Sequence, residues 1–262
     1  MVIRNITPNI ATFSVPFSRF GTIKVGGRGT LVKLSGGGLA IFSPVALTED
    51  VKAKITEMGG DIRYIVAPDI EHHIFISEWA TAFPDAKIVG PEGLPEKREK
   101  QTGSDPKIGN EKFSVVFKKE GKRDIRIGDD FDADFEYEYM DGHANKEIAF
   151  FYKPDRVLIQ ADIIFNLPCK EQYSRVPEAE KQPGGILART FEGVQSPGGD
   201  PKWIRRFQWY IACKDKESFT DSVKRMDQWD FVTMIPCHGE TVEGTGKELY
   251  RKVFDWNLTG KH

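Results

Sequence analysis

Short runs of strand-forming residues alternate with amphipathic helical segments along the chain, and this alternation restricts the fold more than any other feature of the sequence. Residues 10–45 contain the runs IATFSVPF, GTIKVGG, GTLVKLSGGG and LAIFSPV, which are bounded by glycine and predict a β-hairpin region. A helix is predicted over TEDVKAKITEMGG, because Val51, Ile55 and Met58 share one helical face between a threonine cap and a glycine pair. A strand (RYIVAP), a helix (ISEWATAFP) and a further strand (KIVGP) follow. The first half therefore has the predicted order ββαβαβ.

The second half of the chain repeats this pattern. After a helix start and a surface loop in residues 91–110, strands are predicted at KFSVVF, DIRIG, DFEYEYM, IAFFY, VLIQAD and FVTMIP. Amphipathic helices are predicted at KESFTDSVKRMDQW and GKELYRKVFDWN. Strands and helices that alternate in two similar halves predict an α/β protein in which two sheets pack face to face with helices outside. At a length of 262 residues we expect a single domain spanning residues 1–262.

The composition argues against several classes of function. Lys and Arg number 37 and Asp and Glu number 39, with both signs interspersed, so no basic stripe is available for nucleic acid or for an anionic membrane surface. The expected partner is a small-molecule substrate, and the sequence leaves the oligomeric state open. Three cysteines at wide spacing predict neither a disulfide framework nor a thiolate zinc site. Together with an N-terminus that is too polar for a signal peptide, they favour a cytoplasmic location.

Two glycine-rich segments and one cysteine have competing interpretations. The segments GGRG (residues 26–29) and SGGG (residues 35–38) do not match a phosphate-binding loop, and both are interpreted as hairpin turns. Cys237 precedes His238 at the end of a predicted buried strand. A cysteine in that position is typical of inert packing, and we prefer that interpretation to a nucleophile or a thiolate ligand.

Histidines follow predicted strands at several points along the chain. His72 and His73 come after RYIVAP, His143 after DFEYEYM and His238 after FVTMIP, while Asp162 ends VLIQAD in the same way. Because sites are built where strands end at one edge of a sheet, we expect these side chains to converge. Imidazoles and carboxylates are ligands of zinc, iron and manganese, and such an ion lowers the pKa of bound water enough to supply hydroxide near neutral pH. The sequence therefore predicts a transition-metal site linked to hydrolysis.

Three segments that contain these residues resemble the metallo-β-lactamase superfamily. The stretch DGHANKEIAFFYKPDRVLIQADIIF is similar to the superfamily segment in which a Gly-His loop precedes two strands ending in Asp. MIPCHGETV resembles its later Gly-His element, and VAPDIEHHIF occupies the place of its HxHxDH motif. The resemblance covers nearly the whole chain. Within the superfamily, the sequence most resembles a divergent branch of uncharacterised members that includes fungal proteins. It implies a four-layer αββα sandwich of the metallo-β-lactamase type.

The chain departs from the HxHxDH motif, and the departure makes two implied metal positions unequal. Alignment places Ala67 and Asp69 at the first two histidines of the motif, Glu71 at its aspartate and His72 at its last histidine. A shift by one residue would bring His73 into the motif instead, and both registers stay open. We favour one strongly held ion with a weaker neighbouring position. The resemblance implies that the first position keeps Asp69, His143 and Asp162, and that the second keeps Glu71, His72, His238 and the bridging Asp162.

These ligand sets imply a metal-dependent hydrolase. Zinc is the first expectation, as one or two ions, while the share of carboxylates also suits iron or manganese. The bound metal would activate water for attack on an ester, thioester, lactone or amide-like carbonyl. In this scheme Asp162 ligates or bridges, and Glu71 or Asp69 either ligates or accepts the proton of the water. Candidates for the wall of the substrate pocket are Tyr173, Trp203 and Trp209.

Two other functions are compatible with the same residues. The fold also hosts iron-dependent redox and oxygen chemistry, and a fold by itself does not determine a function. A non-catalytic metal-binding protein is the other alternative, because Ala67 and Asp69 replace two of the motif's histidines.

Overall fold

The computed structural model describes residues 1–181, 184–198 and 200–261. A mixed sheet of seven strands occupies the first half of this described part, in the spatial order one, two, five, six, seven, eight, nine. The connections up to the sixth strand are antiparallel and those from the sixth to the ninth are parallel. A separate two-stranded hairpin contains the third and fourth strands. The strands are β1 (Val2–Thr7), β2 (Ile10–Val15), β3 (Ser18–Arg19), β4 (Ile23–Lys24), β5 (Gly27–Lys33), β6 (Leu39–Phe42), β7 (Ile62–Val66), β8 (Lys87–Pro91) and β9 (Val115–Phe117).

A second sheet forms from the later part of the chain. Its strands are β10 (Phe135–Met140), β11 (Glu147–Tyr152), β12 (Val157–Ile159) and β13 (Thr233–Ile235), in that spatial order. The pairs β10–β11 and β11–β12 are antiparallel, whereas β12 and β13 are parallel. The chain therefore leaves β12 and β13 at the same edge of the sheet, although more than 70 residues separate these strands.

Most of the helices lie outside the sheets. The helices are α1 (Glu49–Met58), α2 (Ile76–Ala82), α3 (Leu94–Gln101), α4 (Asp129–Asp134), α5 (Glu178–Lys181), α6 (Gly185–Val194), α7 (Lys202–Phe207), α8 (Lys216–Met226), α9 (Gly246–Val253) and α10 (Asp255–Thr259), with a π-helical turn at Gln208–Ala212. Within the described ranges, no helix combines the length and the apolar character that crossing a membrane requires.

The apolar residues of β6 and β7 explain the layering of the fold. Phe42 and Tyr64 pack against the second sheet, while Ile41 and Ile65 pack against α1 and α2. Because successive side chains point to opposite faces of a strand and both faces are covered, these strands have nearly continuous apolar sequences. The outer face of the second sheet packs in the same way on α8 and α9. These contacts confirm the four-layer αββα sandwich.

The local structure follows the sequence pattern in most places and departs from it in two. The SGGG segment does connect the antiparallel strands β5 and β6, as predicted. The GGRG segment is not a hairpin turn, because Gly27 begins β5 and Arg28 is buried within that strand. DIRIG does not form the predicted strand. There the Ile125 carbonyl accepts from the Tyr137 hydroxyl and the Ile127 N–H donates to Asp132, so side chains replace a neighbouring strand as partners.

Candidate metal centre

His72, Asp162 and His238 meet where strands of the two sheets end. His72 follows β7, while Asp162 and His238 follow the parallel neighbours β12 and β13. One ligand atom from each residue lies within 4.8 Å of the others. The Nε2 atoms of the two histidines are 3.2 Å apart, and His238 Nε2 is 3.1 Å from Asp162 Oδ1. Asp162 and His238 are buried, and the His72 side chain retains 16% exposure, so the cluster is accessible to solvent on the His72 side.

Asp69 fixes the orientation of the His72 ring. Its Oδ1 atom accepts from the backbone N–H groups of Glu71 and His72, each at 2.8 Å, and lies 2.9 Å from His72 Nδ1. The carboxylate therefore forms an Asx turn after Pro68 and orients an imidazole at the same time. Its other oxygen, Oδ2, is buried and has no hydrogen-bond partner among the described residues.

The His238 ring is fixed from the opposite side of the cluster. Its Nδ1 atom lies 2.6 Å from the carbonyl oxygen of Gly26. The ring packs on Phe165 at a centroid distance of 4.6 Å and on Phe17 at 6.3 Å. Because a carbonyl can only accept, the proton of the neutral His238 ring resides on Nδ1.

These contacts place unshared electron pairs against one another. Asp69 and Gly26 each hold a proton on Nδ1 of a histidine, so the neutral rings present bare Nε2 atoms to each other at 3.2 Å. Asp162 Oδ1 adds a third acceptor and receives no hydrogen bond from the described part of the chain. Buried acceptors in such proximity need a positive charge between them, either a proton or a metal ion. Two imidazoles oriented through their other nitrogens, with one carboxylate, are donors that suit a transition metal.

Asn145 and Glu147 hold Asp162 in place, and sequence reasoning did not identify either of them. Asn145 Nδ2 donates to Asp162 Oδ2 at 2.6 Å. The Glu147 carboxylate accepts from the backbone N–H groups of Ala161 and Asp162 at 2.5 and 2.8 Å. Glu147 is fully buried at the start of β11, and an acidic residue that opens an apolar strand was the signal that could have indicated it.

The electrostatics of the cluster favour positive charge at its centre. Burial lowers the pKa of His72, but the Asp69 and Asp162 carboxylates outweigh it and raise this pKa to about 9. Burial raises the pKa of Asp162, but the imidazoles of His238 and His72 outweigh it and bring this pKa below its usual value. Burial, together with Asp69 and Asp162, raises the pKa of Glu147 well above the ordinary range of a glutamate.

A family model decides where this chain belongs. The model for the family described as "Domain of unknown function (DUF4336)" matches residues 18–213, most of the chain. The chain belongs to the DUF4336 family. The matched range includes His72 and Asp162 and ends before His238. No curated protein matches the sequence.

The fold of this DUF4336 protein is that of the metallo-β-lactamases, as the resemblance implied. A metallo-beta-lactamase from Pontibacter korlensis superposes with a TM-score of 0.58 at 13% identity, covering 99% of both chains. One from Erythrobacter litoralis gives 0.57 at 12% identity and covers 98% of this chain and 94% of that chain. A metal-soaked Flv1 flavodiiron core from Synechocystis sp. PCC6803 gives 0.62 at 12% identity and covers 98% of this chain and 60% of that one. At these identities the likeness establishes the fold.

In the DUF4336 chain His143 lies outside the triad. It is buried, and its Nδ1 atom accepts from the backbone N–H of Asn145 at 3.2 Å. The proton of the neutral ring is therefore on Nε2. With Nδ1 already accepting a hydrogen bond, neither ring nitrogen is available to bind a metal ion in this orientation. Burial lowers the pKa of His143 despite the opposing carboxylates of Asp162 and Asp69, so the neutral form is favoured. The assignment of His143 as a metal ligand stays a prediction, and it would require the imidazole ring to rotate.

His73 and Glu71 also point to other partners. Arg98 donates to the His73 carbonyl at 2.8 Å and lies 3.3 Å from its Nδ1. Burial, Lys97 and Arg98 lower the pKa of His73 to about 4. Glu71 pairs with Lys97 at 2.9 Å, and its side chain is 40% exposed. Of the two adjacent histidines, the structure brings His72 into the triad.

The candidates for a pocket wall have unequal positions. Tyr173 is buried in a cluster with Phe165, the residue that packs on His238. Trp203 is 56% exposed and Trp209 packs on Trp256. Phe165 and Phe17, which sequence reasoning did not identify, pack on the His238 ring of the triad. Cys237 is buried, its Sγ lies 2.9 Å from Ser43 Oγ, and burial raises its pKa well above the usual value, which agrees with a packing role.

Proposed function

We propose that this protein is a hydrolase that uses one divalent transition-metal ion, held by His72 Nε2, Asp162 Oδ1 and His238 Nε2, to cleave an ester, thioester, lactone or amide-like bond of a small molecule. The observation that carries the proposal is a pair of histidine Nε2 atoms 3.2 Å apart, on rings whose Nδ1 atoms both face acceptors, beside a buried carboxylate oxygen that receives no hydrogen bond from the described residues. An ion bound by three protein ligands and open at a further position activates water near neutral pH and polarises a carbonyl.

The ligand set favours one ion rather than two. At the first metal position, Ala67 offers no donor and His143 Nδ1 accepts from a backbone N–H, which leaves Asp69 Oδ2 and the shared Asp162 as the open donors. The loss of two ligands opposes a second ion. Zinc is our first proposal for the remaining site, because two imidazoles and one carboxylate match the ligands of catalytic zinc centres. Iron and manganese are the alternatives, because a carboxylate is among the ligands.

Of the neighbouring residues, some would orient the metal ligands and one would accept the proton of the attacking water. Asp69 and Gly26 hold the Nδ1 protons of His72 and His238, and Asn145 holds Asp162 through Oδ2. The unpartnered Oδ2 of Asp69 is the acceptor we propose for the proton of the attacking water, in preference to Glu71, which Lys97 neutralises.

His143 would act as a hydrogen-bond donor in this scheme. Its neutral ring carries the proton on Nε2 because Nδ1 accepts from Asn145. A neutral imidazole N–H can stabilise negative charge that develops on a carbonyl oxygen. Phe165 and Phe17 cover the His238 ring and would limit the access of bulk water on that side.

Metal analysis combined with activity tests this proposal. We expect untagged protein to hold one metal ion per chain by elemental analysis, with anomalous density between the three ligands. We expect hydrolysis within a panel of aryl esters, thioesters and lactones that a chelator abolishes and the metal restores, and His238→Ala should lose both metal and activity. Stoichiometric metal without turnover would instead favour the non-catalytic alternative, and bound iron with oxygen consumption would favour redox chemistry. Absence of stoichiometric metal would overturn the proposal.

A further inference from the structure

A glycine-rich segment at the start of β5 contacts the loop that carries His238. We propose that Gly26 and Arg28 form a positioning element for His238, in which Arg28 clamps the backbone of the loop and Gly26 selects the ring tautomer. The inference rests on the proposed metal site, and it assigns a purpose to a segment that lies outside the triad.

Arg28 is a cation whose side chain is completely buried next to the site. Its Nη1 atom donates to the carbonyl oxygens of Pro236 and Gly239, each at 2.7 Å. These two carbonyls flank Cys237 and His238, so a single guanidinium nitrogen joins both ends of the tetrapeptide that contains the ligand. A planar guanidinium on a central strand restricts this loop more than a flexible ammonium group would.

The rest of the tetrapeptide is held by the same region of the fold. The Cys237 carbonyl accepts from Gln172 Nε2 at 3.0 Å, and the His238 carbonyl accepts from the Asn166 N–H at 3.1 Å. The four consecutive carbonyls from Pro236 to Gly239 therefore all have donors. A loop with its carbonyls satisfied in this way has little freedom to turn, so the direction of the His238 side chain is set before a ligand binds.

Gly26 is the part of the positioning element that contacts the His238 ring itself. Its carbonyl lies 2.6 Å from His238 Nδ1, and the residue has φ +69, a left-handed conformation that glycine adopts without steric cost. A side chain at this position would have no room, because its Cβ would lie 2.3 Å from the Gln172 side chain. The backbone that presents this carbonyl to His238 therefore requires glycine.

A chain of ion pairs compensates the charge of Arg28. Glu171 lies 3.4 Å from Arg28, and the same carboxylate pairs with Arg4 at 2.8 Å, which in turn pairs with Glu243. Ser14 accepts from Arg28 Nε at 3.1 Å. The buried cation is thus neutralised and hydrogen-bonded, and its partners among the described residues are Ser14, Glu171 and two backbone carbonyls rather than the side chains of the triad, as expected for a positioning residue.

The test compares substitutions of Arg28 with a matched control remote from the triad. Lys247 is the control, because its ammonium group also binds backbone carbonyls, those of Asp227 and Trp229 at 2.6 Å each. We would measure the Zn²⁺ affinity of the full chain by chelator competition for the wild type, Arg28→Lys, Arg28→Met and Lys247→Met. The tautomer of His238 would be read in metal-free protein from long-range ¹H–¹⁵N correlations of the imidazole. Melting temperature would be recorded for every variant.

We expect both Arg28 variants to bind Zn²⁺ about tenfold to 100-fold more weakly, the range typical of lost outer contacts of a ligand. The metal-free Arg28 variants should also show a mixture of His238 tautomers where the wild type shows Nδ1–H alone. Lys247→Met should lower the melting temperature and leave the Zn²⁺ affinity within about twofold of the wild type. If Arg28→Met does not fold, the Zn²⁺ affinity and the His238 tautomer of Arg28→Lys test the inference, because this variant keeps the positive charge and loses the planar guanidinium group.

Two results would overturn the inference: wild-type Zn²⁺ affinity in both folded Arg28 variants, or an unchanged His238 tautomer in them. If the wild type itself binds no Zn²⁺, the proposed function fails. In that case the tautomer comparison in metal-free protein alone supports or overturns the role of Arg28.

Discussion

Substitution of Asp69 tests its role as the group that orients the His72 ring. Asp69→Ala removes three contacts of Oδ1, two from backbone N–H groups and one from His72 Nδ1. Loss of an Asx-type cap costs about 1–2 kcal/mol, and loss of a hydrogen bond to a charged group costs about 1.5–3 kcal/mol. We therefore expect Asp69→Ala to lower the free energy of unfolding of the metal-free protein by about 2.5–5 kcal/mol, measured by urea denaturation.

Asp69→Asn gives the more decisive measurement because it keeps an acceptor for the two backbone groups. The bond to His72 changes from charge-assisted to neutral and weakens by about 1.4 kcal/mol, roughly a factor of ten in affinity. We expect Zn²⁺ affinity, measured by chelator competition, to fall about tenfold in Asp69→Asn. Glu71→Gln is the control, because Glu71 pairs with Lys97 and should leave the affinity unchanged. Wild-type affinity in Asp69→Asn, or an equal loss in Glu71→Gln, would refute this reasoning.

Three further predictions follow from the histidines. His143→Gln should retain one metal ion and lose about 100-fold in kcat, the effect of removing an oxyanion donor; loss of the metal would show that His143 is a ligand. Zn²⁺ affinity should rise about tenfold per pH unit and level off near pH 9, because the ion displaces the proton that Asp69 and Asp162 hold on His72; a flat pH profile would contradict this. The pKa of His73 falls from its unfolded value of about 6.5 to about 4, so its contribution to stability is fully present above pH 6.5 and is lost as the pH falls through 4. That contribution is about 3 kcal/mol, and urea unfolding should show a shallower pH dependence in His73→Gln than in the wild type.

The sequence by itself determined most of the order of elements and the places where the site residues leave the sheets. Runs such as LAIFSPV and RYIVAP are apolar on both faces of the strand, and only a layered fold with helices outside can bury them. Strand ends bring side chains to one edge of a sheet, so His72, Asp162 and His238 could be expected to converge from their positions alone. This information is local, because it depends on periodicity and on the residues that end each element.

Tertiary contacts decided which of these residues face one another. His72 and His73 are adjacent and chemically identical, but Asp69 orients the His72 ring toward the triad, whereas the buried Arg98 binds His73. Arg28 is the second example. Its segment has the composition of a turn, yet it lies in a central strand because carbonyls more than 200 residues later supply its partners. Hydrogen bonds of buried polar groups are satisfied by whichever elements the fold brings together, and no local pattern in the sequence encodes those partners.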